Sequence, residues 1–298
     1  MAERFVSFFP SIWLGEFNDY HAWLSARPSL LSFSVIADQM DDKIVASRHP
    51  YTIEAWCSSC SLNQPMLVSW HYGAINTDGS VHPAWTETAI CTACGLNSRM
   101  RALISKIQSL GIPSWSKVYT PEAITDGFSR LRARFPRVTG SEFLGVNLVS
   151  GSSYPVAGHG SVMHQDLTAL SFERATFDLV ITQDVFEHVP DYKKAFAECY
   201  RVLNTSGVLL FTIPFFPHLE HTQILATVDA NGHIDHLHPP EYHGNPVDST
   251  GALCFQHFGW DILEDIRAAG FSTATAHLYW GPWQGHMGTP FFVFSASV

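Results

Sequence analysis

The 298-residue sequence predicts an α/β fold, in which a mostly parallel sheet carries helices on both faces, together with a second, smaller module. Two observations lead to this prediction. Residues 177–213 follow the order strand, helix, strand, which is the βαβ unit of a parallel sheet. Upstream of that unit, two Cys-x-x-Cys pairs stand 30 residues apart, and this pattern indicates a separate module.

The βαβ unit is predicted from its changing hydrophobic period. Residues 177–181 (FDLVI) are almost continuously apolar, as in a strand buried on both faces. After them, apolar side chains recur at helical spacing, at Tyr192, Ala195, Phe196, Cys199, Tyr200 and Leu203. Pro190 and Asp191 suit the start of this helix, and residues 204–207 suit its end. Residues 208–213 (VLLFTI) then predict a second buried strand.

Composition and charge limit the classes of partner. The chain has 17 Lys+Arg against 27 Asp+Glu, a formal net charge of −10. An acidic surface repels phosphate backbones, so a nucleic-acid partner is disfavoured. No stretch approaches the roughly 20 apolar residues that span a bilayer, and Pro10 interrupts the apolar start, which does not resemble a signal peptide. A cytoplasmic protein with no membrane partner is expected, and its oligomeric state is left open.

Three segments are expected along the chain: an N-terminal segment at 1–50, a cysteine-containing module at 51–98, and a large domain at 99–298. In the first segment, four aromatic residues spaced for one helix face predict a packing surface: Trp13, Phe17, Tyr20 and Trp23. Residues 30–36 are expected to form a strand. Residues 99–110 predict an amphipathic helix that leads from the module into the large domain.

The cysteine pairs predict one structural zinc ion. The four ligands are Cys57, Cys60, Cys91 and Cys94, because a two-residue spacer lets each pair turn back onto one tetrahedral metal. Residues 66–85 between the pairs suit short strands around a turn at Asp78-Gly79, as in a zinc ribbon. Two disulfides, four buried thiols or a redox pair are the alternatives, and disulfides are disfavoured in a cytosolic chain. Four protein ligands leave no open position, which indicates a structural site.

Residues 164–215 contain four motifs in order: an acidic residue before an apolar pair (Gln165-Asp166-Leu167), FDLVI, the EHV at 187–189, and a helix ending in YRVL before a glycine and a strand. Together these motifs resemble those of the class I S-adenosylmethionine-dependent methyltransferases. The resemblance implies a Rossmann-like sheet closed by an antiparallel hairpin, expected here at 271–279 and 290–296 after a helix at 260–269. It also implies a cofactor at the carboxyl ends of the strands.

The cofactor loop departs from the usual family pattern. Residues 117–122 suit the first strand, which the family follows with a loop of the Gly-x-Gly-x-Gly kind. Here the segment reads PEAITDGFSRL, and Gly127 is its one glycine. A subset of these methyltransferases looks similar, with a Glu after the first strand, no glycine triplet, and a second strand reading GSE.

The resemblance implies that six residues bind S-adenosylmethionine: Glu122, Glu142, Asp166, Leu167, Gln183 and Asp184. Glu142 matches the acidic residue that accepts hydrogen bonds from the ribose hydroxyls. Asp166 matches the residue that contacts the adenine amino group, with Leu167 adding backbone and apolar contact. The alternatives are a surface acid at Glu122 and simple helix capping by Asp184 and Glu187.

A long insertion at residues 214–258 follows the second strand of the βαβ unit. It holds seven of the sixteen histidines: His218, His221, His233, His236, His238, His243 and His257. A long connection at the ligand-binding edge of a sheet predicts the acceptor pocket. His243, and after it His188, are the candidate general bases, because imidazole titrates near neutral pH. Alternatively, these histidines satisfy loop hydrogen bonds, or His236, His238 and His243 bind a second metal.

The leading functional prediction is a methyltransferase that acts on a small molecule, such as a sugar or a natural-product intermediate. The alternatives are a nucleic-acid or protein methyltransferase that docks its substrate on the zinc module, and a non-catalytic scaffold that has lost the cofactor with the glycine loop. A nicotinamide-dependent enzyme is the remote option, since it leaves Asp166 and the EHV motif without a role. The cofactors expected are S-adenosylmethionine and zinc.

Overall fold

The computed structural model describes residues 12–44, 49–75, 81–247 and 250–298. Its helices are α1 Tyr20–Ile44, α2 Ser98–Ser109, α3 Asp126–Arg134, α4 Tyr192–Val202 and α5 Ile262–Ala268, with 3₁₀ turns at Phe186–His188 and Pro282–Gln284. The first strands are β1 Trp13–Phe17, β2 Tyr51–Cys57, β3 Leu62–Val68, β4 Ala74–Ile75, β5 Val81–His82, β6 Ile90–Cys91, β7 Val118–Thr120, β8 Val138–Gly140, β9 Ser153–Val156 and β10 Gly160–Met163. The others are β11 Phe177–Gln183, β12 Leu203–Thr212, β13 Gln223–Ile224, β14 Ala226–Val228, β15 Ile234–His236, β16 Tyr242–His243, β17 Ala252–Leu253, β18 Gln256–His257, β19 Thr273–Gly281 and β20 His286–Ser297.

The chain divides into two compact units. The smaller comprises the described residues of Met1–Glu16, Pro28–Ser105 and His277–Phe291. The larger comprises Phe17–Arg27, the described residues of Lys106–Ala276, and Phe292–Val298. The smaller unit contains the four paired cysteines, and the larger contains the βαβ segment and the insertion.

The larger unit is built on a mostly parallel sheet in the order β19-β20-β12-β11-β7-β8. β11 is parallel to β12 and to β7, and β7 is parallel to β8. β20 runs antiparallel to β12, with Val208 opposite Ser297. β19 lies next to β20, so the late part of the chain supplies the predicted antiparallel edge. The predicted α/β fold class is confirmed.

The βαβ unit forms where the hydrophobic pattern predicts it. In β11 every residue from Leu179 to Gln183 is buried, as the apolar run requires. In α4, the buried positions are Tyr192, Ala195, Phe196, Cys199 and Val202. The carboxylate of Asp191 caps the helix by accepting from the backbone N–H of Lys194 at 3.1 Å. β12 begins at Leu203 rather than at residue 208, so the helix passes into the strand without the predicted intervening stop.

Two expectations for the N-terminal segment are wrong. Trp13 and Phe17 lie on the strand β1 rather than on a helix, and residues 30–36 lie inside α1 rather than in a strand. Short apolar runs do not distinguish helix from strand, and Leu, Ala and Ser around residues 30–36 are compatible with a helix. The expected aromatic packing is nevertheless present in the larger unit, where Trp23 stacks on Trp260 with ring centroids 5.6 Å apart.

In the smaller unit, β2, β3 and β6 form an antiparallel sheet, and β4 pairs with β5. The predicted turn at Asp78-Gly79 lies outside the described residues. None of the described helices combines the length and apolar character needed to cross a bilayer.

Candidate functional site

The predicted cofactor residues lie where strands of the parallel sheet end. Gln183 is the last residue of β11, and Asp184 follows it. Glu122 follows β7 by two residues, and Glu142 follows β8 by two residues. Because the carboxyl ends of parallel strands meet at one edge, these four side chains border the same edge of the sheet.

Glu122 is buried and bonded to the neighbouring strand end. Its Oε2 accepts a 2.9 Å hydrogen bond from the backbone N–H of Gln183 and a 3.4 Å contact from the hydroxyl of Thr120. This carboxylate therefore joins the ends of β7 and β11. The alternative of a surface acid at this position is wrong, because the side chain is not exposed.

Glu142 holds the loop that replaces the glycine-rich segment. Its Oε1 accepts a 3.0 Å hydrogen bond from the backbone N–H of Ile124, and the backbone of Ala123 donates to the carbonyl of Ser141 at 3.0 Å. The hydroxyl of Thr125 then caps α3 by accepting from the N–H of Phe128 at 3.3 Å. Burial raises the pKa of Glu142 to about 7. A carboxyl group at this position thus changes charge near neutral pH.

Asp166 and Leu167 lie beyond an interrupted third strand. An isolated parallel bridge between Glu142 and His164 stands next to β8. Oδ1 of Asp166 accepts from both the backbone N–H and the hydroxyl of Thr168 at 2.8 Å, and Leu167 is buried. The Asp166 side chain is therefore held by its own turn.

Gln183 and Asp184 carry two local features of a binding site. Oε1 of Gln183 is buried without a hydrogen-bond partner among the described residues, which leaves an acceptor ready for a ligand donor. Asp184 has a φ of 53°, an uncommon conformation for a residue other than glycine. Its Oδ1 accepts from the hydroxyl of Thr212 at 2.8 Å, which ties it to the end of β12.

A second group of side chains joins the loop after β11 to the insertion. Oε1 of Glu187 lies 3.6 Å from Nε2 of His188 and 3.8 Å from Nδ1 of His243. The two imidazole rings meet edge to face, with centroids 5.0 Å apart. We call Glu187, His188 and His243 the Glu-His-His cluster. It unites both predicted bases with a carboxylate that the sequence indicates only as a helix cap.

The electrostatics of the Glu-His-His cluster are set by burial and by two carboxylates. Burial raises the pKa of Glu187 to about 7 and lowers the pKa of His188 to about 4. Glu187, and after it Glu241, raise the pKa of His243 to about 9. In the free protein at neutral pH, His188 is therefore neutral and His243 is protonated.

The insertion holds this cluster firmly. The backbone N–H of Phe255 donates to the carbonyl of Glu187 at 2.8 Å, and the amide of Gln256 donates to the carbonyls of Phe186 and Val189 at 2.6 and 3.1 Å.

Two other histidines of the insertion lie away from the cluster. His236 and His238 are exposed, and among the described residues they belong to no group of three metal-binding side chains. The predicted second metal set of His236, His238 and His243 is thus wrong. His243 is grouped instead with Glu187 and His188.

In the smaller unit, the four paired cysteines converge as a tetrahedral site requires. Sγ of Cys57 lies 3.7 Å from Sγ of Cys94, Sγ of Cys60 lies 3.9 Å from Sγ of Cys91, and all four lie within 4.8 Å of one another. Thiolates about 2.3 Å from a central zinc would be about 3.8 Å apart, whereas a disulfide would need about 2.05 Å. The two-disulfide alternative is therefore wrong, since these cysteines are free.

A buried arginine supports the cysteine cluster. The guanidinium of Arg101 is fully buried and donates to the carbonyls of Ala89 at 3.0 Å, Gly285 at 3.4 Å and Gln284. Burial lowers the pKa of Arg101, and the nearby cysteines, Cys57 foremost, oppose that shift. A positive charge at this position would offset the negative charge of any cysteines that ionise in the cluster.

The chain is similar to known methyltransferases in one segment of its sequence and in its structure. Residues 128–211 match a family described as a methyltransferase domain. An S-adenosylmethionine-dependent methyltransferase from Mesorhizobium loti aligns over 66% of this chain and 98% of its own, with 14% identity and a TM-score of 0.42. A 1,6-didemethyltoxoflavin-N1-methyltransferase from Burkholderia thailandensis, solved with its substrate and S-adenosylhomocysteine, aligns over 67% and 78%, with 19% identity and a TM-score of 0.39. No curated protein sequence matches the chain significantly.

The strand order and the antiparallel β20 are those of a mostly parallel, Rossmann-like sheet, the fold of class I methyltransferases. Within this sheet, residues 128–211 match a methyltransferase domain.

Proposed function

We propose that the chain transfers a methyl group from S-adenosylmethionine to a small-molecule acceptor, such as a sugar or a natural-product intermediate. The observation that carries this proposal is a row of three carboxylates and one amide, all buried or part-buried, at the carboxyl edge of the sheet. These residues are Glu122, Glu142, Gln183 and Asp184. The net charge of −10 supports a small acceptor over a nucleic acid. A cytoplasmic location is part of the same proposal.

In this proposal, Glu142 accepts from the ribose hydroxyls of the cofactor, and Asp166 with Leu167 holds the adenine. Glu122 supports the loop and strand ends around the methionine part, while the unpaired Oε1 of Gln183 supplies a further acceptor. Bound S-adenosylmethionine supplies an activated methyl group on a sulfonium. The task left to the chain is to place the acceptor in line with that group and to help it lose a proton.

The acceptor is proposed to bind between the strand ends and the insertion at 214–258. The Glu-His-His cluster lies at this position, because His188 follows β11 and His243 comes from the insertion. We propose that this cluster promotes loss of the acceptor proton, with His243 and His188 as the two candidate bases. His188 is neutral at neutral pH, whereas His243 accepts a proton only after it has released its own. The part-exposed edges of both rings, 28% and 18% of their side chains, leave access from solvent.

We further propose that Cys57, Cys60, Cys91 and Cys94 bind one structural zinc in a module spanning residues 51–98. The spacing of the four sulfur atoms, close to that of a tetrahedral thiolate site, supports this ion. With four protein ligands it would have no open position, and its role would be to stabilise the module.

Calorimetry with S-adenosylhomocysteine on the full chain tests the cofactor proposal. We expect one site per chain, lost or strongly weakened in Glu142→Ala and unchanged in Glu264→Gln, an exposed acid on α5. No heat and no thermal shift with either form of the cofactor would support the non-catalytic scaffold instead.

A pH–rate profile tests His243 and His188 as bases, and it requires a known acceptor. To identify an acceptor, formation of S-adenosylhomocysteine from S-adenosylmethionine is measured over a panel of small molecules with hydroxyl or amine groups. Wild type is then compared with His243→Ala and His188→Ala, and with His233→Ala as an exposed control from the same insertion. If both cluster variants keep wild-type turnover and the same acidic limb, neither histidine is the base.

A further inference from the structure

The Glu-His-His cluster contains a buried carboxylate whose oxygens accept no hydrogen bond from the described part of the protein. The side chain of Glu187 is 0% exposed, and neither of its oxygens has a hydrogen-bond partner among the described residues. A buried carboxylate without a donor is costly, and where native proteins retain one it commonly serves catalysis or binds a water or an ion. The imidazole nitrogens of His188 and His243 stand 3.6 and 3.8 Å from Oε1 of Glu187, beyond hydrogen-bond distance.

Both histidines have one ring nitrogen bonded elsewhere and the other directed towards this carboxylate. Nδ1 of His188 lies 2.8 Å from the backbone oxygen of Leu253. A carbonyl can only accept, so Nδ1 carries the proton and the neutral ring keeps its lone pair on Nε2, which faces Glu187.

His243 is held in the same way by another carboxylate. Its Nε2 lies 2.9 Å from Oε1 of Glu241, whose Oε2 is in turn 2.8 Å from Nε2 of His257. With Nε2 donating to Glu241, His243 has a lone pair on Nδ1, which faces Glu187, once an incoming metal ion displaces the Nδ1 proton. Metal-binding histidines are characteristically fixed by a carbonyl or carboxylate on their second nitrogen, and both rings show this arrangement.

We propose that Glu187, His188 and His243 bind a divalent first-row transition-metal ion through a carboxylate oxygen, Nε2 and Nδ1, as a second metal site separate from the cysteine cluster. The three ligand atoms lie within 4.8 Å of one another. Ligands about 2.1 Å from one ion stand about 3.0 Å apart at 90° and about 3.6 Å apart at 120°. The observed 3.6 and 3.8 Å separations lie within about 0.2 Å of the 120° value and exceed the 90° value by about 0.6 to 0.8 Å.

The donor set selects the class of ion. Two imidazoles and one carboxylate suit zinc, iron(II), cobalt(II) or manganese(II), whereas magnesium and calcium prefer oxygen alone. The neighbouring trio of Glu241, Cys254 and His257 is a weaker candidate. Both oxygens of Glu241 are already bonded to histidines, and Cys254 contacts the carbonyl of Gln256 at 3.4 Å.

Three protein ligands leave open positions for a substrate oxygen. In this role, which rests on the function proposed above, an acceptor hydroxyl bound to the ion loses its proton to solvent more readily. Its oxygen then bonds to the methyl carbon as the carbon–sulfur bond breaks and the electron pair stays on sulfur. His188 and His243 act in that case as ligands rather than as bases. Binding of the ion itself does not depend on methyl transfer.

Manganese(II) titration of the full chain, followed by loss of the free-ion electron paramagnetic resonance signal, tests this site. Manganese avoids all-thiolate sites, so the signal reports the Glu-His-His cluster rather than the cysteines. We expect one ion per chain in wild type, displaced by zinc, and at least tenfold weaker binding in Glu187→Gln and His243→Gln. Glu241→Gln should weaken binding about 10- to 100-fold through the second nitrogen of His243. His233→Ala should match wild type.

Two outcomes would overturn the proposal. One is that wild type binds no manganese and only one zinc ion, and that Cys91→Ser loses this zinc. The other is that Glu187→Gln and His243→Gln, with wild-type thermal unfolding, bind the ion as tightly as wild type. Calorimetry with S-adenosylhomocysteine runs in parallel on protein that keeps only the zinc of the four cysteines. If the protein binds the cofactor but no second metal ion, the metal site is wrong and the proposed function stands. If it binds the metal ion but no cofactor, the proposed function is wrong and the metal site stands.

Discussion

Oε2 of Glu122 accepts a 2.9 Å hydrogen bond from the backbone N–H of Gln183 and so connects the carboxyl ends of β7 and β11. In the usual family pattern the turn after the first strand is rich in glycine, and here it contains a buried acid. The acid fixes the edge of the sheet at the point where the cofactor is proposed to bind. Its removal should therefore affect the stability of the larger unit.

Glu122→Ala should lower the free energy of unfolding by about 1.5–3 kcal/mol, because it leaves the buried N–H of Gln183 without its charged acceptor. Glu122→Gln should recover much of this loss, since its amide oxygen can accept the same bond. Chemical unfolding of the three proteins measures the difference. Equal stability of Glu122→Ala and wild type would mean that this contact does not hold the strand ends.

Glu142→Ala should weaken S-adenosylhomocysteine binding by roughly 10- to 100-fold, the effect of losing a charged acceptor worth about 1.5–3 kcal/mol. Calorimetry at pH 8 measures the change, and circular dichroism checks that the variant folds. An affinity within twofold of wild type would exclude Glu142 from the cofactor site.

The same affinity should depend on pH in wild type. Burial raises the pKa of Glu142 to about 7, and the ribose hydroxyls require the ionised form as acceptor. Binding should therefore strengthen about tenfold between pH 6 and pH 8, and the dependence should vanish in Glu142→Gln. By linkage, this group makes the free protein less stable as pH rises from about 4.5 to about 7, because the native state holds the proton more tightly than the unfolded state.

Cys91→Ser should remove one zinc per chain and loosen the smaller unit, because metal binding and folding of such modules are coupled. Elemental analysis gives the zinc content, and amide exchange over residues 51–75 and 81–98 gives the local stability. Cys199→Ala, which removes a buried thiol from α4 in the larger unit, should keep the zinc. If the purified wild-type protein contains no zinc, the proposed zinc site is wrong.

Arg101→Met should destabilise the smaller unit by about 3 kcal/mol or more, because two buried carbonyls and one part-buried carbonyl lose a charged donor. Thermal unfolding followed in the presence of zinc measures the loss. Arg174→Met, at an exposed arginine, serves as the control and should change little. A stable Arg101→Met protein would show that water replaces the guanidinium.

The sequence alone determined the fold class and the cysteine cluster. A continuous apolar run at 177–181 and a helical period from Tyr192 are local signals of a buried strand and an amphipathic helix, and β11 and α4 form there. The two-residue spacing likewise encodes a local turn in each cysteine pair, and the presence of two such pairs predicts one shared metal on which Cys57 and Cys94 converge. By contrast, residues 30–36 lack a distinctive period, and their pattern does not predict the helix that they form.

Only the tertiary structure decided which side chains of the insertion meet the sheet. Glu187 and His243 are 56 positions apart in the chain, and nothing in the spacing of seven histidines distinguishes His243 from its neighbours as a partner. The choice is made by strand pairing and by the hydrogen bonds of Phe255 and Gln256 to the segment around Glu187. Burial of Glu187 without a donor is a property of the assembled fold, because burial depends on all the surrounding elements and not on the residue itself.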